Sequence, residues 1–298
     1  MDHPRDPAPR TSESRSAGAT LLCTVRGCGR PLAPEAGTLR CALGHAFDRA
    51  RRGWVNLLQP QDRRSRAPGD SRDAALARRR LVTAGLEAPL HDRLVAALDS
   101  PRAGGTRGEA LPVLDVGCGE GSVLAALAAR RSIVAHGVDL SADAVDLAAA
   151  ALPAGVWVVA NADRGLPFAD GSFDLALSLL ARRPADELAR VLRRTGTLLV
   201  AVPGPADLAE LRREVQGEAN PRERLDAVRA ELAGEFELVR HERLAWTIEL
   251  DRTGLADLLA SSYRGARHRE RERFASIERL AVTCERDLLW FTPRAAGR

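Results

Sequence analysis

Along residues 111–202, short apolar runs alternate with segments whose apolar residues recur at helical spacing. The predicted order is a strand at 111–116, a helix at 122–130, a strand at 132–139, a helix at 142–152, strands at 156–160 and 173–180, a helix at 184–194 and a strand at 196–202. Strands that alternate with helices in this way predict a parallel sheet covered on both faces. The fold class is therefore a doubly wound α/β fold.

Less regular segments flank this region. A helix is predicted at 84–98, a flexible loop at 100–110, helical segments from the Pro203-Gly204-Pro205 turn to about 233, strands at 236–250 and 286–293, and a helix at 253–262. With the last two strands the sheet is expected to be mostly parallel and seven-stranded. Residues 1–20 are rich in Pro, Ser and Arg, which predicts a disordered tail.

A glycine-rich turn follows the first strand of the sheet. The candidate cofactor residues are Asp115, Gly117, Gly119, Glu120 and Gly121 in the turn, Asp139 at the end of the second strand and Asp163 after the third. Glycines here let the backbone approach a ligand closely, and Asp139 can bind ribose hydroxyls. The dinucleotide pattern G-x-G-x-x-G fails because its third glycine falls on Ser122.

Asp115 suits a cationic ligand better than a pyrophosphate. S-adenosylmethionine is such a cation, and the segment is similar to the first motif of class I methyltransferases, with Asp139 matching the second. The region around Asp163 resembles the part of those enzymes that contacts adenine, although Asp163 could instead cap a turn.

Three of the five cysteines and one histidine lie within 23 residues of the N-terminal region. The predicted ligand set is Cys23, Cys28, Cys41 and His45, with spacing C-x4-C and C-x3-H. Three thiolates and an imidazole suit tetrahedral Zn²⁺, and a site with four protein ligands is closed and structural. Unrelated buried residues and a redox pair at Cys23 and Cys28 are the alternatives.

Charge adds one further feature. The net charge is +4 with a pI of about 9.1, and the positive charge is carried by arginine because the chain contains no lysine. Ten arginines lie between 49 and 80, at 49, 51, 52, 63, 64, 66, 72, 78, 79 and 80. They indicate either a solvated surface or contacts with RNA. No apolar run is long enough for a membrane helix or signal peptide, so a cytoplasmic protein without membrane contact is expected.

Several specific segments carry a resemblance to a family. They are Cys41-Ala-Leu-Gly-His45-Ala-Phe47-Asp48, Gly53-Trp54-Val55-Asn56-Leu57-Leu58, Arg66-Ala-Pro68-Gly69-Asp70-Ser71, Ala77-Arg78-Arg79, Leu114 to Gly121, Leu166-Pro167-Phe168, Glu187-Leu188-Ala189-Arg190-Val191 and Pro203-Gly204-Pro205. From Cys23 onward the chain resembles the 23S ribosomal RNA guanine-N1 methyltransferases, in which a zinc module precedes a class I methyltransferase domain.

The resemblance implies a division into a tail at 1–20, a zinc-binding module at 21–60, an Arg-rich linker and helix at 61–110, and an S-adenosylmethionine-dependent methyltransferase domain at 111–298. It also implies that the module and the Arg-rich segment recognise a 23S rRNA hairpin and that guanine N1 is methylated. The family modifies one of two neighbouring guanines in hairpin 35, and some members confer macrolide resistance. A homodimer is one possible assembly.

The sequence departs from the family at a few positions. Glu87 replaces an aromatic residue near the cofactor, Asp207 replaces a histidine, and Arg193-Arg194-Thr195-Gly196 replaces K-P-G-G. No catalytic base is identified; Asp163 and Asp207 are candidates by position, and neither is assigned. A methyltransferase for a small molecule and an RNA-binding protein without catalysis are the alternatives.

Overall fold

The computed structural model describes residues 18–62, 68–98, 109–217, 221, 223–262 and 277–294. The predicted tail lies outside these residues up to position 17, and so does most of the predicted loop at 100–110. Arg63, Arg64 and Arg66 of the Arg-rich segment also lie outside them.

Two sheets organise the described chain. The strands are β1 (Leu32–Glu35), β2 (Thr38–Cys41), β3 (Ala46–Asp48), β4 (Val55–Asn56), β5 (Leu111–Val116), β6 (Ile133–Asp139), β7 (Val156–Val159), β8 (Phe173–Leu179), β9 (Leu192–Pro203), β10 (Phe236–Asp251) and β11 (Arg279–Pro293). β1, β2 and β3 form a small antiparallel sheet. The others form one sheet in the order β10-β11-β9-β8-β5-β6-β7-β4, with β11 antiparallel to both of its neighbours and the rest parallel.

The described helices alternate with these strands. They are α1 (Arg72–Thr83), α2 (Ala88–Leu98), α3 (Ser122–Ala128), α4 (Ala142–Ala151), α5 (Ala185–Val191), α6 (Ala209–Gln216), α7 (Leu225–Leu232) and α8 (Arg252–Ser262). The doubly wound α/β prediction is confirmed. Within the described residues, no helix is long and apolar enough to cross a membrane.

The central sheet has one strand more than predicted. The seven expected strands are present, and β4 adds an eighth at the edge, parallel to β7. Val55 and Leu57 are buried there, and the Leu57 amide donates to the Val159 carbonyl oxygen at 2.9 Å. A strand of two residues gave too short a pattern to predict, yet it covers an edge that would otherwise expose unpaired backbone groups.

The Arg-rich linker contains a helix that the sequence analysis missed. The Ser71 hydroxyl accepts a hydrogen bond from the Ala74 amide and so caps α1. The buried side of α1 consists mainly of alanines with Leu81, and it packs against α8 and α4. Arginines between small residues do not give a clear apolar stripe, which is why the periodicity was not recognised.

Two other predicted boundaries were wrong. The helix predicted to reach 194 ends at Val191, and β9 begins directly at Leu192. β11 begins at Arg279 instead of 286, because it pairs along the full length of β10. β10 alternates between more and less exposed residues, which is the pattern of a strand with one face toward solvent.

Candidate cofactor cavity and metal centre

The three glycines after β5 have different roles. Gly117, Gly119 and Gly121 have φ values of 78°, 53° and 83°, which side chains rarely adopt. A Cβ atom on Gly117 would lie 2.5 Å from the Ala181 Cβ, and one on Gly121 would lie 2.8 Å from the Ala148 Cβ. A Cβ on Gly119 would meet nothing within 4 Å. The outer glycines therefore allow close packing, and Gly119 exposes its backbone.

A cavity of about 480 Å³ opens beside this turn, at the carboxyl ends of the parallel strands. Six of the seven predicted cofactor residues line it: Asp115, Gly117, Gly119, Glu120, Asp139 and Asp163. Gly121 does not line it, because it lies behind the turn as the N-terminal cap of α3. This is where doubly wound sheets bind ligands.

Asp139 is fixed by the backbone around it. Its carboxylate accepts hydrogen bonds from the Gly119 amide at 2.9 Å and the Ser141 amide at 2.8 Å. Burial raises its pKa, and these two amides oppose the shift. The carboxylate at the end of β6 is thus held in place before any ligand binds.

Asp115 is the most unusual group in the cavity. It is buried, and its Oδ1 has no hydrogen-bond partner within the described residues. Burial, together with the nearby charges of Asp139 and Glu120, raises the pKa of Asp115 to about 7. An orphaned carboxylate oxygen among acidic neighbours fits a cationic group, so the cavity suits the ammonium of S-adenosylmethionine.

Glu120 is held by an arginine that sequence reasoning missed. Arg79 on α1 donates to the Glu120 Oε2 at 3.3 Å and to the backbone oxygens of Glu120 and Leu147, both at 3.0 Å. The Arg-rich helix therefore supports the glycine turn. No spacing rule links two positions 41 residues apart, so only the three-dimensional packing shows this pair.

Asp163 lies in the wall of the cavity and forms an ion pair with Arg182. Arg182 donates to both of its carboxylate oxygens at 2.9–3.1 Å. Capping of the local turn is done by Asn161, whose side-chain oxygen accepts the Asp163 amide at 3.1 Å. Asp163 therefore does not cap the turn, which was the alternative that the sequence left open. A ligand that binds at this position would contact the ion pair of Asp163 and Arg182.

The four predicted metal ligands converge. The ligand atoms of Cys23, Cys28, Cys41 and His45 lie within 4.8 Å of one another. The Sγ atoms of Cys23 and Cys41 each lie 3.4 Å from the His45 Nδ1, and the Cys28 and Cys41 sulfurs are 3.8 Å apart. A tetrahedral zinc ion with Zn–S bonds of about 2.3 Å requires S···S distances of about 3.8 Å. The residues present fit Zn²⁺.

Two tight turns present these ligands. In the first, the Cys28 amide donates to the Val25 carbonyl oxygen at 2.9 Å, and Gly27 and Gly29 have positive φ. In the second, the Gly44 amide donates to the Cys41 carbonyl oxygen at 2.9 Å. The glycines allow the left-handed conformations that each turn requires.

The metal-binding region, meaning the N-terminal segment that carries Cys23, Cys28, Cys41 and His45, is joined to the large sheet and its helices at Asp146 on α4. The Trp54 Nε1 donates to its Oδ1 at 3.1 Å, Arg52 donates to its Oδ2, and Arg72 lies 3.6 Å from the same carboxylate. Trp54 also packs against the buried core of the sheet. Trp54 therefore has a packing role at this junction.

Many arginines of the segment 49–80 have partners inside the protein. Besides Arg52, Arg72 and Arg79, Arg49 donates to the Gly53 carbonyl oxygen and Arg80 donates to both Asp257 oxygens at 2.6 and 2.8 Å. Arg51 is exposed. The segment is therefore in large part structural.

The two departures at Glu87 and Asp207 meet at one residue. Arg286 on β11, 4% exposed, donates to the Glu87 Oε1 at 2.8 Å and to the Asp207 Oδ1. Glu87 and Arg286 are 199 positions apart, which explains why sequence reasoning could not pair them. The third departure, Arg193, donates to the Asp174 carboxylate.

Comparisons with known proteins agree with this geometry. The family described as RlmA, N-terminal, matches residues 22–66, and the family described as Methyltransferase domain matches residues 113–200. The 23S rRNA (guanine(748)-N(1))-methyltransferase of Streptomyces fradiae is 39% identical over 78% of this chain and 81% of that protein. YxjB of Bacillus subtilis, provisionally named a 23S rRNA (guanine-N(1)-)-methyltransferase, is 34% identical over 70% of this chain and 67% of that protein.

Proposed function

Because this chain belongs to the family of 23S rRNA (guanine-N1)-methyltransferases, we propose that it transfers a methyl group from S-adenosylmethionine to N1 of a guanine in a 23S rRNA hairpin, in the hairpin 35 region. The observation that carries the proposal is the similarity to the Streptomyces fradiae enzyme over 78% of this chain, together with the matches to the zinc-ribbon and methyltransferase-domain families. This methyl transfer requires both a binding site for S-adenosylmethionine and a surface that binds the RNA.

The cofactor residues in this proposal are those that line the larger cavity. Asp139 binds the ribose hydroxyls, Asp115 receives the ammonium, and the bare backbone at Gly119 allows close approach. Asp163 lies on the side expected for adenine. When bound, S-adenosylmethionine supplies an electrophilic methyl group, and the protein's task is to align the acceptor nitrogen and exclude water.

Zn²⁺ in this proposal is held by Cys23, Cys28, Cys41 and His45. With four protein ligands the site has no open position, so the ion stabilises the fold of the N-terminal region and takes no part in methyl transfer. The metal-binding region stands next to the cavity because β4 extends the same sheet and the Pro60–Asp62 turn, whose Asp62 lines the cavity, follows directly.

Fewer arginines of the segment 49–80 are left to contact RNA than the sequence suggested. Arg49, Arg52, Arg72, Arg79 and Arg80 all bind groups within the protein. Among the described arginines of the segment, Arg51 is exposed and unpaired, so it is the first candidate for a phosphate contact. Arg49, Arg52, Arg72 and Arg80 are exposed as well as paired. Homodimer formation and cytoplasmic location stay predictions.

A transfer assay tests the proposal. Purified protein with labelled S-adenosylmethionine is incubated with 23S rRNA from cells that lack the gene, with bulk tRNA, and with a metabolite extract. Label in 23S rRNA, recovered as 1-methylguanine after nuclease digestion, is expected. Label that enters only the metabolite pool would support a small-molecule methyltransferase, and hairpin binding without any transfer would support an RNA-binding protein.

A further inference from the structure

A second cavity of about 320 Å³ lies next to the cofactor cavity. The two cavities share the side chains of Arg78, Val82, Glu87 and Leu180 as lining residues. The other walls of the second cavity come from the Pro203-Gly204-Pro205 turn, α8 and Arg286. A ligand in this second cavity would therefore lie beside a molecule in the first.

The polar wall of this cavity is a buried charge cluster. Arg286 bridges Glu87 and Asp207, and Arg212 donates to the backbone oxygens of Asp207 and Pro205. Burial raises the pKa of Asp207, and the Arg286 guanidinium opposes that shift. Because each carboxylate is tied to Arg286, the orientation of Glu87 is fixed.

Three atoms of this cluster have unmet hydrogen-bonding capacity. Within the described residues, Glu87 Oε2, Arg212 Nε and Arg286 Nε are buried and have no hydrogen-bond partner. Leaving a buried donor or acceptor unpaired costs about 1–3 kcal/mol each. One free acceptor and two free donors in a single cavity wall are the complement of a ligand that carries both donors and an acceptor.

Guanine has this arrangement on one edge. N1–H and the N2 amino group are adjacent donors, and O6 beside them is an acceptor. Adenine carries an acceptor at N1 and a single amino donor, N6, on this edge, so it cannot offer Glu87 two adjacent donors or offer the two arginines a carbonyl oxygen. The free atoms of the wall therefore match the base that the proposed reaction uses.

The residue between the two cavities is strained. Leu180 follows β8, has a φ of 57°, and is 40% exposed. A leucine in this region costs about 1–2 kcal/mol. Its amide donates to the Ala201 carbonyl oxygen at 2.8 Å, which holds the conformation. Strain of this kind concentrates at functional sites.

We propose that the second cavity is the pocket for the acceptor guanine and that Glu87 is the residue that reads its donor edge and takes the N1 proton. This inference rests on the proposed function. The N1–methyl bond forms as the methyl–sulfur bond breaks, the N1 proton passes to the Glu87 carboxylate, and the neutral carboxyl then releases that proton to water. Arg286 and Asp207 are positioning residues for Glu87.

The first test is Glu87→Gln, which keeps the shape of the side chain and removes its basicity. We expect kcat on 23S rRNA to fall about a hundredfold or more. Glu242→Gln is the matched control, because Glu242 also pairs with an arginine, Arg93, but lies on β10 away from both cavities. Equal kcat values for the two variants would overturn the inference.

The second test needs no variant and therefore stands even if Glu87→Gln does not fold. A hairpin RNA with inosine in place of the target guanine lacks only the N2 amino group. Wild-type protein is expected to methylate it with kcat/KM reduced about tenfold or more, because Glu87 loses a partner. Equal rates for guanine and inosine would contradict the pocket. No transfer to the guanine hairpin would instead contradict the proposed function.

Discussion

The metal-binding region and the glycine turn each bring a few side chains together, but they are held by different means. Around Cys23, Cys28, Cys41 and His45 the described backbone consists of turns and three short strands, and buried residues such as Leu32 and Leu39 connect them to the core of the large sheet. The turn at 117–121 follows β5, whose buried neighbours on both sides form the core of the sheet. We therefore expect the first centre to depend on its metal ion for its shape, whereas packing in the core of the sheet holds the second.

The largest effect is expected when the metal-binding region loses its zinc ion. Cys41→Ser removes one of four zinc ligands, and structural zinc contributes on the order of 10 kcal/mol to such small modules. Elemental analysis is expected to fall from about one zinc per chain to nearly none, and exchange of amide protons in β1 and β2 should become fast. Cys284→Ser, at a buried cysteine away from the cluster, is the control and should keep its zinc. Full zinc content in Cys41→Ser would refute the ligand assignment.

The second effect tests whether the turn is truly preformed. Gly121→Ala places a methyl 2.8 Å from the Ala148 Cβ at a φ of 83°, so strain and overpacking should together cost about 3 kcal/mol. Gly171→Ala also has a positive φ, 58°, but its Cβ would meet nothing within 4 Å. Thermal unfolding and calorimetric titration with S-adenosylmethionine should show loss of both stability and affinity for the first variant, and a small loss of stability for the second. Similar losses in both would mean that packing behind the turn is unimportant.

These two regions also differ in how far the sequence could predict them. The ligand set and the glycine turn are local patterns within 23 and 7 residues, and the strands around them are continuous apolar runs, so the fold class and the candidate residues were accessible. The pairs Arg79 with Glu120 and Arg286 with Glu87 were not, because an ion pair between distant positions leaves no periodic signal. β4 was missed for a related reason: two residues cannot display an alternation.

A third expectation concerns the charge of Asp115. Its pKa of about 7 means that the free protein carries a proton there in mildly acid solution, whereas a bound cation favours the carboxylate. Deprotonation of Asp115 alone would raise the affinity for S-adenosylmethionine about tenfold from pH 6 to pH 8, or about 1.4 kcal/mol. The ligand's own ammonium begins to lose its proton near pH 8, so the net rise should be severalfold. Binding should release protons, seen as a buffer-dependent calorimetric enthalpy.

Asp115→Asn removes the titrating group and is the control for this expectation. It should bind more weakly at pH 8 and lose the rise in affinity between pH 6 and pH 8. A wild-type affinity that does not change with pH would show that the cation does not contact Asp115.

The smallest effect concerns the junction between the two regions. Asp146→Ala removes the acceptor of Trp54, Arg52 and Arg72, which are partly exposed contacts, and should cost about 1 kcal/mol. Asp143→Ala on the same helix is the control. Limited proteolysis between 49 and 72 should be faster in the first variant, while the affinity for S-adenosylmethionine stays the same. Equal proteolysis rates would show that the contacts of Asp146 do not hold the two regions together.

The most direct test of the central claim is to map 1-methylguanine in 23S rRNA from cells with and without the gene. Methylation at N1 blocks Watson–Crick pairing, so reverse transcriptase stops at the modified base. We expect one stop at a guanine in the hairpin 35 region that disappears when the gene is deleted and returns with the wild-type gene but not with Glu87→Gln. An identical pattern of stops in both strains would contradict the account.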